Sequence, residues 1–456
     1  MKRLIARYAK EYATHFEIVT VWDNAVQKEE LPLEDPHIRT LSRTHPAAIW
    51  FERKMHDDFG IVIEDAFDNR PLVAQERFPK GIHPMQKNFR ETDIAYADYR
   101  PYKYEAIGGD GVFEVAVGPI HAGIIEPGHF QFSQAGEDIL HQEVRHFYKY
   151  RAIEKMLEGK TLFEAKPIIE RISGNESLAY QLCWRDIVLQ ATQSELPENN
   201  RRYHALLLEL ERTIHHLTDL GFIPNDAGFG AALAYASKLS EEARRQMQVL
   251  TGHRFGFGAV DFDTHMLDVE VMAHYLERLE EAVVFFESWI SDIPSLWDRF
   301  DTTGILKKDK AVKYDTVGVV ARASGLALDR RDTPFYQAHG FEIQRETGGD
   351  VSARFKLRLA EVKNALVMMR SFMVASCEAV TPGCVEDGEY FAFSESSIGE
   401  LFMSVELKEG VIERFFVRDP SFMNWQALHL MMPGNIIADF PLINKSCDLS
   451  YAGNDL

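Results

Sequence analysis

Apolar positions recur at intervals of three and four residues along most of the chain beyond residue 145. This spacing places the apolar side chains on one face of a helix, so it predicts amphipathic helices. Several such helices in succession are typical of a helical bundle, which we expect to form the main core. The predicted helices are Phe147–Glu158, Leu178–Gln193, Tyr203–Leu220, Ser240–Leu250, Asp268–Trp289 and Ala353–Cys377.

Shorter stretches alternate between apolar and polar residues, which predicts strands. Phe16–Trp22 and Ile61–Glu64 lie in the first hundred residues, and Tyr390–Val417 has the pattern of a strand, a turn and a strand. Phe113–Phe132 is interrupted by glycines and prolines, and it therefore predicts a small sheet that carries a rigid loop at Gly118–His129.

Together these patterns predict an α+β fold in two units. Residues 1–100 are expected to form a small α+β module, and residues 101–456 a large, mainly helical domain with small peripheral β-sheets. A chain of 456 residues exceeds the usual size of one domain, about 100 to 200 residues, which agrees with this division.

Charge and hydropathy restrict the partners. The net charge of -20 at pH 7 makes nucleic acid or an anionic lipid surface an unfavourable direct partner. The longest apolar runs, such as Ala231–Ala236, are far shorter than the roughly 20 residues of a spanning helix. Met1–Lys10 has no signal-peptide core. We expect a protein without a transmembrane segment, which stays in the cytoplasm or docks on a membrane partner.

The chain has four cysteines, which are Cys183, Cys377, Cys384 and Cys447. No two of them are separated by two residues, the spacing that lets a cysteine pair bind one metal or cluster. The cysteines therefore predict neither a disulfide framework nor an iron-sulfur site, and we interpret them as buried or incidental thiols.

Two segments near the N-terminus, Glu52–Ile61 and Asp68–Leu72, resemble the signature of the 30-kDa-type subunit of respiratory complex I. Further segments resemble, in the same order, the large subunits of group 4 [NiFe] hydrogenases of the formate-hydrogenlyase and hydrogenase-4 types and the 49-kDa subunit of complex I. The resemblance implies a [NiFe]-hydrogenase large-subunit-like fold with a 30-kDa-type segment fused in front. The matching segments are Gly118–Phe132, Phe147–Lys155, Glu209–Arg212 with His216, Asn225–Gly228, Thr251–Phe255, Arg322–Gly325, Gly349–Arg354 and Pro420–Leu428.

The resemblance fails at the residues that would hold the metal. The family binds nickel and iron through two Cys-x-x-Cys pairs, because soft thiolates suit these metals better than hydroxyl or carboxylate oxygens. By the resemblance, Ser173 and Glu176 stand at the first pair of positions. Matching Asp448 to the family's aspartate puts Ser450 and Gly453 at the second pair. We therefore expect no [NiFe] centre in this chain, with the nickel site degenerate.

Other family features are also absent. Ser397–Glu400 stands where the family has Pro-Arg-Gly-Glu. The quinone-contacting tyrosine of complex I aligns with Gly174, and the paired histidine of the glycine-rich loop aligns with Ile125, beside Glu126. Quinone therefore remains a possible cofactor, but without the residues that usually contact it. We do not expect NADH to bind to this chain, because the sequence has no glycine-rich dinucleotide fingerprint after a strand.

Five ionisable residues face the old cavity or its border by family position. A carboxylate and an imidazole brought together can carry protons at neutral pH. We therefore predict these residues as candidates for proton handling. They are His121, Glu126 and His129 on the loop, Glu176 at a helix start, and Asp226 on the helix pair that in complex I borders the quinone chamber.

Each candidate has a structural alternative. The alternative for Glu176, beside Ser173, is a cap of the helix that begins near Ser177. The alternative for His121 is a hydrogen bond to a carbonyl group of the loop. The apolar segment around Trp425 is either core or a surface for an iron-sulfur partner subunit.

Salt bridges are the alternative for the residues of the central helix. Arg212 or Arg254 would pair with Glu211, His216 or Asp226. We also expect three further arginines to form structural ion pairs. These are Arg322, Arg331 and Arg354.

The resemblance implies a peripheral-arm subunit of a complex-I-like or hydrogenase-4-like membrane oxidoreductase, on the cytoplasmic side of the membrane. Such a subunit takes part in electron transfer, with quinone as one acceptor, or it couples electron transfer to ion translocation. We expect it to be active only within its complex. The implied partners are a small iron-sulfur subunit and antiporter-like membrane subunits. The alternative is a non-redox scaffold subunit of a membrane ion or bicarbonate transport complex.

Overall fold

The computed structural model describes residues 2–90, 92, 94–105, 107–122 and 125–456. Its strands are β1 (Leu4–Glu11), β2 (His15–Trp22), β3 (Ala25–Pro32), β4 (His37–Arg39), β5 (Val62–Glu64), β6 (Val112–Val117), β7 (His129–Ala135), β8 (Asp138–Arg145), β9 (Gly388–Glu395), β10 (Glu400–Lys408) and β11 (Val411–Arg418). Its helices are α1 (Ala48–Phe59), α2 (Ile153–Leu157), α3 (Leu162–Ile169), α4 (Ser177–Ala191), α5 (Glu198–Asp226), α6 (Gly230–Thr251), α7 (Val269–Ser291), α8 (Pro294–Phe300), α9 (Lys308–Lys313), α10 (Gly318–Ala323), α11 (Pro334–Gln337), α12 (Val351–Phe372), α13 (Pro420–Leu428), α14 (Phe440–Cys447) and α15 (Tyr451–Asp455).

An antiparallel sheet opens the fold, with β1, β2 and β3 paired in chain order. Helix α1 packs on β1 and ends at Gly60, whose φ of +79° lies in the left-handed region that glycine adopts without a steric penalty. The strands predicted at Phe16–Trp22 and Ile61–Glu64 are confirmed as β2 and β5. The small N-terminal module thus has the predicted α+β composition.

Tyr8 of β1 ties the N-terminal sheet to the C-terminal sheet. Its ring stacks on Phe416 with 4.2 Å between ring centroids, and its hydroxyl lies 2.7 Å from Ser404 Oγ. One hydrophobic cluster accordingly contains Ile5 of the N-terminal sheet together with Leu207 of the helical bundle. The division of the chain at residue 100 stays a prediction.

The helical bundle is built around α5, which packs along α6 and α12 and contacts α4 and α14. The predicted helices beyond residue 177 are confirmed as α4 to α7 and α12. The last of them ends earlier than predicted, at Phe372 rather than Cys377. The reason is tertiary, because Cys377 N donates to His265 O at 3.0 Å and so holds the chain in an extended form. Among the described residues, no helix is long and apolar enough to cross a membrane.

Two antiparallel three-stranded sheets lie beside the bundle, in the orders β6-β7-β8 and β9-β10-β11. The region Tyr390–Val417 therefore holds parts of three strands rather than two. A tight turn separates β9 from β10, where Ser396 N donates to Gly399 O at 2.8 Å. The fold class predicted from the sequence is confirmed.

The helix predicted at Phe147–Glu158 is wrong in its first half. Phe147 and Ala152 have φ values of +65° and +57°, which a right-handed helix excludes. The C-terminus holds this segment instead, since Lys149 N donates to Asp455 Oδ2 at 2.9 Å. Of the predicted helix, only Ile153–Leu157 is helical, as α2.

Candidate functional site

Ser173 and Ser450 meet in the interior of the protein. Ser173 follows α3 and precedes α4, whereas Ser450 is the residue before α15, and their Oγ atoms lie 3.1 Å apart. Ser450 Oγ also accepts the N–H of Gly453 at 2.9 Å, which caps α15. The structure thus brings together the two segments at which the resemblance places the family's cysteine pairs.

Glu176 lies in the same cluster and is fully buried, with 0% of its surface exposed. Its Oε1 accepts the hydroxyl of Ser396 at 2.6 Å, while its Oε2 meets no hydrogen-bond donor among the described residues. Helix α4 begins at Ser177, as expected, but the Glu176 side chain makes no capping bond to it. The interpretation of Glu176 as a simple helix cap is therefore wrong.

Asp419 completes the cluster, and its carboxyl group is close enough to the Glu176 carboxyl to interact with it electrostatically. Its Oδ2 accepts the hydroxyl of Tyr180 at 2.7 Å, and its Oδ1 accepts Ser421 N at 2.8 Å. Sequence reasoning missed Asp419, because an aspartate before Pro420 is typical of a helix N-cap, and Asp419 does cap α13.

Burial, and then the neighbouring Asp419 carboxyl, raise the pKa of Glu176 well above its usual range. Burial and the same carboxyl also raise the pKa of Tyr180. No salt bridge to Glu176 or Asp419 occurs within the described ranges. A buried carboxyl beside a second carboxyl and without a cation is more stable when it is uncharged, which is the physical reason for the raised pKa of Glu176.

These residues do not fit a nickel-iron centre. A Cβ added at Gly453 would lie 2.0 Å from Asp419 Oδ2, so a carboxyl fills the space that a cysteine side chain would need. Ser173 and Ser450 offer neutral hydroxyls, and Glu176 a protonated carboxyl, where the metals require thiolates. In the part of the chain that the structure describes, no group of three or more His, Cys, Asp or Glu residues is placed to hold a metal ion.

Of the loop candidates, Glu126 contacts the first turn of α15. Glu126 Oε2 accepts Ala452 N at 2.9 Å, and its Oε1 is ion-paired with Lys149. His121 Nε2 lies 2.7 Å from Gly128 O, so the alternative of a satisfied loop carbonyl is confirmed. Two residues of the loop, at positions 123 and 124, lie outside the described residues.

His129, at the start of β7, bridges the two arms of the loop. Its Nδ1 lies 3.2 Å from Gly118 O, and its Nε2 lies 3.2 Å from Gln131 Oε1. The hydrogen bonds described for His121, Glu126 and His129 do not reach Glu176. Proton handling by this loop stays a prediction.

Asp226 is at the last turn of α5, away from the Glu176 cluster. Burial raises the pKa of Asp226, and Asn225 Nδ2 lies 3.4 Å from its Oδ1. The expected pairing of Asp226 with Arg212 or Arg254 is wrong, because Arg212 pairs with acids of the bundle core and Arg254 with Glu241 at 2.7 Å. The role of Asp226 in proton handling stays a prediction.

Glu211 joins α5 to the start of α4. Its Oε1 accepts Leu178 N at 2.8 Å, and burial raises the pKa of Glu211 to about 8. Backbone N–H groups, not an arginine, are thus its partners, and the expected salt bridge is wrong. The carboxyl ties together the two helices that position Glu176.

Buried ion pairs connect α5, α10 and α12. Arg322 contacts Glu361 and Glu395, each at 2.7 Å, and Arg331 contacts Glu209 at 3.0 Å. The prediction of structural ion pairs is confirmed for both arginines. His216 Nε2 lies 2.8 Å from the same Glu361, although burial still lowers the pKa of His216 to about 4.

Arg354 differs from this pattern, and the prediction that it forms an ion pair is wrong. It donates to Ser446 Oγ at 2.8 Å, Gly349 O at 2.7 Å and Gly304 O at 3.1 Å. It therefore binds backbone and hydroxyl oxygens, and it fastens α12 to the loop before it and to α14.

Trp425 is 1% exposed and packs on Phe130 and His146, so its segment belongs to the core and not to a partner surface. The thiols of Cys183, Cys377 and Cys447 are buried and that of Cys384 is exposed, and all four are free. The interpretation as buried or incidental thiols is confirmed.

The fold is thus a helical bundle with small flanking sheets, in which two segments far apart in the sequence meet at one buried cluster. The model of the family described as respiratory-chain NADH dehydrogenase, 49 Kd subunit, matches residues 226–381 and 368–455. The chain therefore belongs to this family. Residues 6–94 match the family described as respiratory-chain NADH dehydrogenase, 30 Kd subunit, as the fused N-terminal resemblance predicts.

Named relatives point the same way. The chain is 28% identical to formate hydrogenlyase subunit 5 of Escherichia coli, over 100% of this chain and 83% of that protein. It is 26% identical to hydrogenase-4 component G of E. coli, over 90% of this chain and 74% of the relative. It is 25% identical to the carbon monoxide-induced hydrogenase of Rhodospirillum rubrum, over 74% of this chain and 97% of the relative.

A solved structure has the same fold. It is a chain from the membrane-bound sulfane sulfur reductase (MBS), an archaeal respiratory membrane complex. The TM-score is 0.70 at 21% sequence identity, and the superposition covers 76% of this chain and 99% of that chain.

Proposed function

We propose that this protein is a peripheral subunit of a complex-I-like or hydrogenase-4-like membrane oxidoreductase, and that it works without a [NiFe] centre. In such a complex it takes part in electron transfer or in the coupling of electron transfer to ion translocation. Its relatives support the first part, because they are named as a subunit of formate hydrogenlyase, a component of hydrogenase-4 and a carbon monoxide-induced hydrogenase.

The buried pair of Glu176 and Asp419 is the observation that carries the second part. The Asp419 carboxyl fills the space in which a side chain at Gly453 would lie, and the Glu176 carboxyl, not a thiolate, stands on the opposite segment with Ser173. A metal would have to displace Asp419 and find sulfur donors, and the nearest cysteine in sequence, Cys447, is buried against Met431 with its sulfur 3.8 Å from that thioether. Hydrogen activation at this place is not supported by such donors.

The electrons in this proposal come from a small iron-sulfur subunit, and ion translocation is carried out by antiporter-like membrane subunits. This chain then links the two, at the cytoplasmic side of the membrane. A quinone is the acceptor class that the family suggests, although Glu176 and Ser396, at the centre of the old cavity, are 0% exposed. A quinone site in this protein would therefore lie elsewhere than in the Glu176 cluster.

A scaffold subunit of a membrane ion or bicarbonate transport complex is the second candidate. One observation supports this candidate: the side chains of the Glu176 cluster are buried and hydrogen-bonded to one another. Their arrangement therefore does not depend on a bound redox group. The two candidates differ in whether an iron-sulfur protein accompanies the chain.

Affinity purification of the tagged full chain from its native membranes in mild detergent separates them. Mass spectrometry of the eluate, with iron determined on the same sample, is expected to show an iron-sulfur subunit and membrane subunits of the antiporter type. Membrane partners without any iron-sulfur protein or iron would favour the scaffold. Recovery of the chain alone, from membranes that are shown to contain it, would contradict both.

A further inference from the structure

A cleft of about 640 Å³ lies between α1 and the chain segment that follows β5. Residues 56–57, 69–71, 74–76, 78–83 and 100–103, together with Arg145, line it. It shares no residue with the Glu176 cluster. Clefts of about 300 to 1,000 Å³ are typical of sites for small organic ligands.

The two acidic side chains that line this cleft, Asp57 and Glu76, already have protein partners. Asp57 Oδ2 accepts the N–H groups of Leu72 and Val73, both at 2.8 Å, and that of Ala74 at 3.1 Å. Glu76 is ion-paired with Arg145. Asp57 keeps its charge, but the two acidic residues of the lining are outnumbered by Arg70, Lys80, Arg100, Lys103 and Arg145.

Three basic side chains at the cleft have no such partner. Lys80, Arg100 and Lys103 are exposed, and none of them forms an ion pair with any residue that the structure describes. The chain as a whole carries a net charge of -20. Three unpaired cations at one opening therefore produce a local positive field on a negative protein, and such a field attracts anions.

Flat and apolar groups form the walls. The ring centroid of Tyr102 lies 5.2 Å from the guanidinium carbon of Arg70 and 4.3 Å from that of Arg145. Phe78 and Ile82 add apolar surface to the lining. A planar or apolar body would be covered by these walls, while its charged group meets the basic side chains at the opening.

We propose that this cleft binds a small organic anion, with a phosphate, carboxylate or sulfonate group at Lys80, Arg100 and Lys103 and an aromatic or apolar body against Tyr102 and Phe78. The proposal is independent of the electron-transfer role. A free acidic peptide would share the charge but would not be enclosed by walls of this size.

The probe for the test is 8-anilinonaphthalene-1-sulfonate, which combines an aromatic body with one anionic group, titrated into the purified full chain. We expect saturable binding that is weakened at least about tenfold in the variant Lys80→Gln/Arg100→Gln/Lys103→Gln, since three lost charge contacts of about 0.5 kcal/mol each give this factor. N-phenyl-1-naphthylamine, the same body without the sulfonate, should bind at least about tenfold more weakly to the unchanged protein.

The matched control is Lys238→Gln/Arg245→Gln/Lys408→Gln, which removes the same charge from exposed positions elsewhere. It should bind the sulfonate probe like the unchanged protein, and equal melting temperatures would show that all three proteins are folded. Equal weakening in both triple variants, or equal affinity for the two probes, would overturn the proposal. Displacement of the sulfonate by hexaglutamate at lower concentration than by phenyl phosphate would also overturn it, in favour of a docking site for an acidic peptide.

Discussion

The hydroxyl oxygens of Ser173 and Ser450 lie 3.1 Å apart, although 277 positions separate these residues in the sequence. Between the two segments that carry them, Glu176 and Asp419 form a buried acid pair. Hydrogen bonds hold this cluster together. The contribution of these hydrogen bonds to stability can be measured by substitution.

Glu176 is expected to tolerate an uncharged isostere. In Glu176→Gln the side-chain carbonyl still accepts from Ser396 and the amide donates to Asp419, so the free energy of unfolding should change by less than about 1 kcal/mol. Glu176→Ala should lower it by about 2 to 5 kcal/mol, because it leaves a cavity and removes the acceptor of the Ser396 hydroxyl. Urea unfolding of the three proteins measures this. Equal losses in both variants would mean that the carboxyl is needed as a charge.

Gly453 should resist even a methyl group. Gly453→Ala places a carbon against Asp419 Oδ2, and overpacking of this kind typically costs about 1 to 3 kcal/mol. Gly174→Ala is the matched control, since nothing lies within 4 Å of a Cβ at that position. In an Asp419→Ala background the cost of Gly453→Ala should fall. An unchanged cost there would show that Asp419 does not occupy the space.

The stability of the protein should depend on pH through Glu211. Burial raises its pKa to about 8 in the folded protein, against about 4.3 in an unfolded chain. The folded state therefore binds more protons than the unfolded chain between these values. The contribution of Glu211 to the free energy of unfolding is fully present below about pH 4.3 and is lost as the pH rises towards 8.

Glu211→Gln should remove part of this slope, because the amide has no proton to lose. The comparison is the free energy of unfolding at about pH 5 and about pH 8, for Glu211→Gln and the unchanged protein. The exposed Glu281→Gln serves as control and should keep the slope of the unchanged protein. A larger loss of unfolding free energy between these pH values in Glu211→Gln than in the unchanged protein would contradict the prediction.

Arg322 should be a structural residue. Arg322→Met leaves Glu395 buried without its cation and removes the shortest ion pair of Glu361, and breaking a buried pair of this kind costs about 3 to 5 kcal/mol. Arg245→Met, at a side chain that is 72% exposed, should change stability by less than about 0.5 kcal/mol. Thermal unfolding measures both. A folded, fully stable Arg322→Met protein that had lost activity would instead assign Arg322 a direct functional role.

The periodic parts of the fold could be predicted from the sequence. Helices α4 to α7 and strand β2 follow from apolar spacing, because each buries one face against its neighbours. The segment after Phe147 could not be predicted, since its conformation is fixed by Asp455, which lies 306 positions after Lys149. Local periodicity contains no information about such a contact.

The candidate site was predictable only in part. The resemblance placed Ser173, Glu176, Ser450 and Gly453 at equivalent positions, and the structure brings these positions together. Asp419 could not be predicted, because its local role as a helix cap accounts for it completely and its contact with Glu176 is made through the tertiary fold. Conversely, the loop around His121 attracted attention as a set of ionisable residues, but His121 and His129 bind carbonyls of the loop, and Glu126 binds Lys149 and the start of α15.

Nickel content of the complex tests the central claim most directly. The tagged protein would be isolated with its partners from cells grown with added nickel, and nickel and iron would be determined per mole of this chain. We expect iron from the iron-sulfur partner and less than about 0.1 nickel per chain, since the cluster around Glu176 and Asp419 offers no thiolate. About one nickel per chain, retained through purification, would contradict the account.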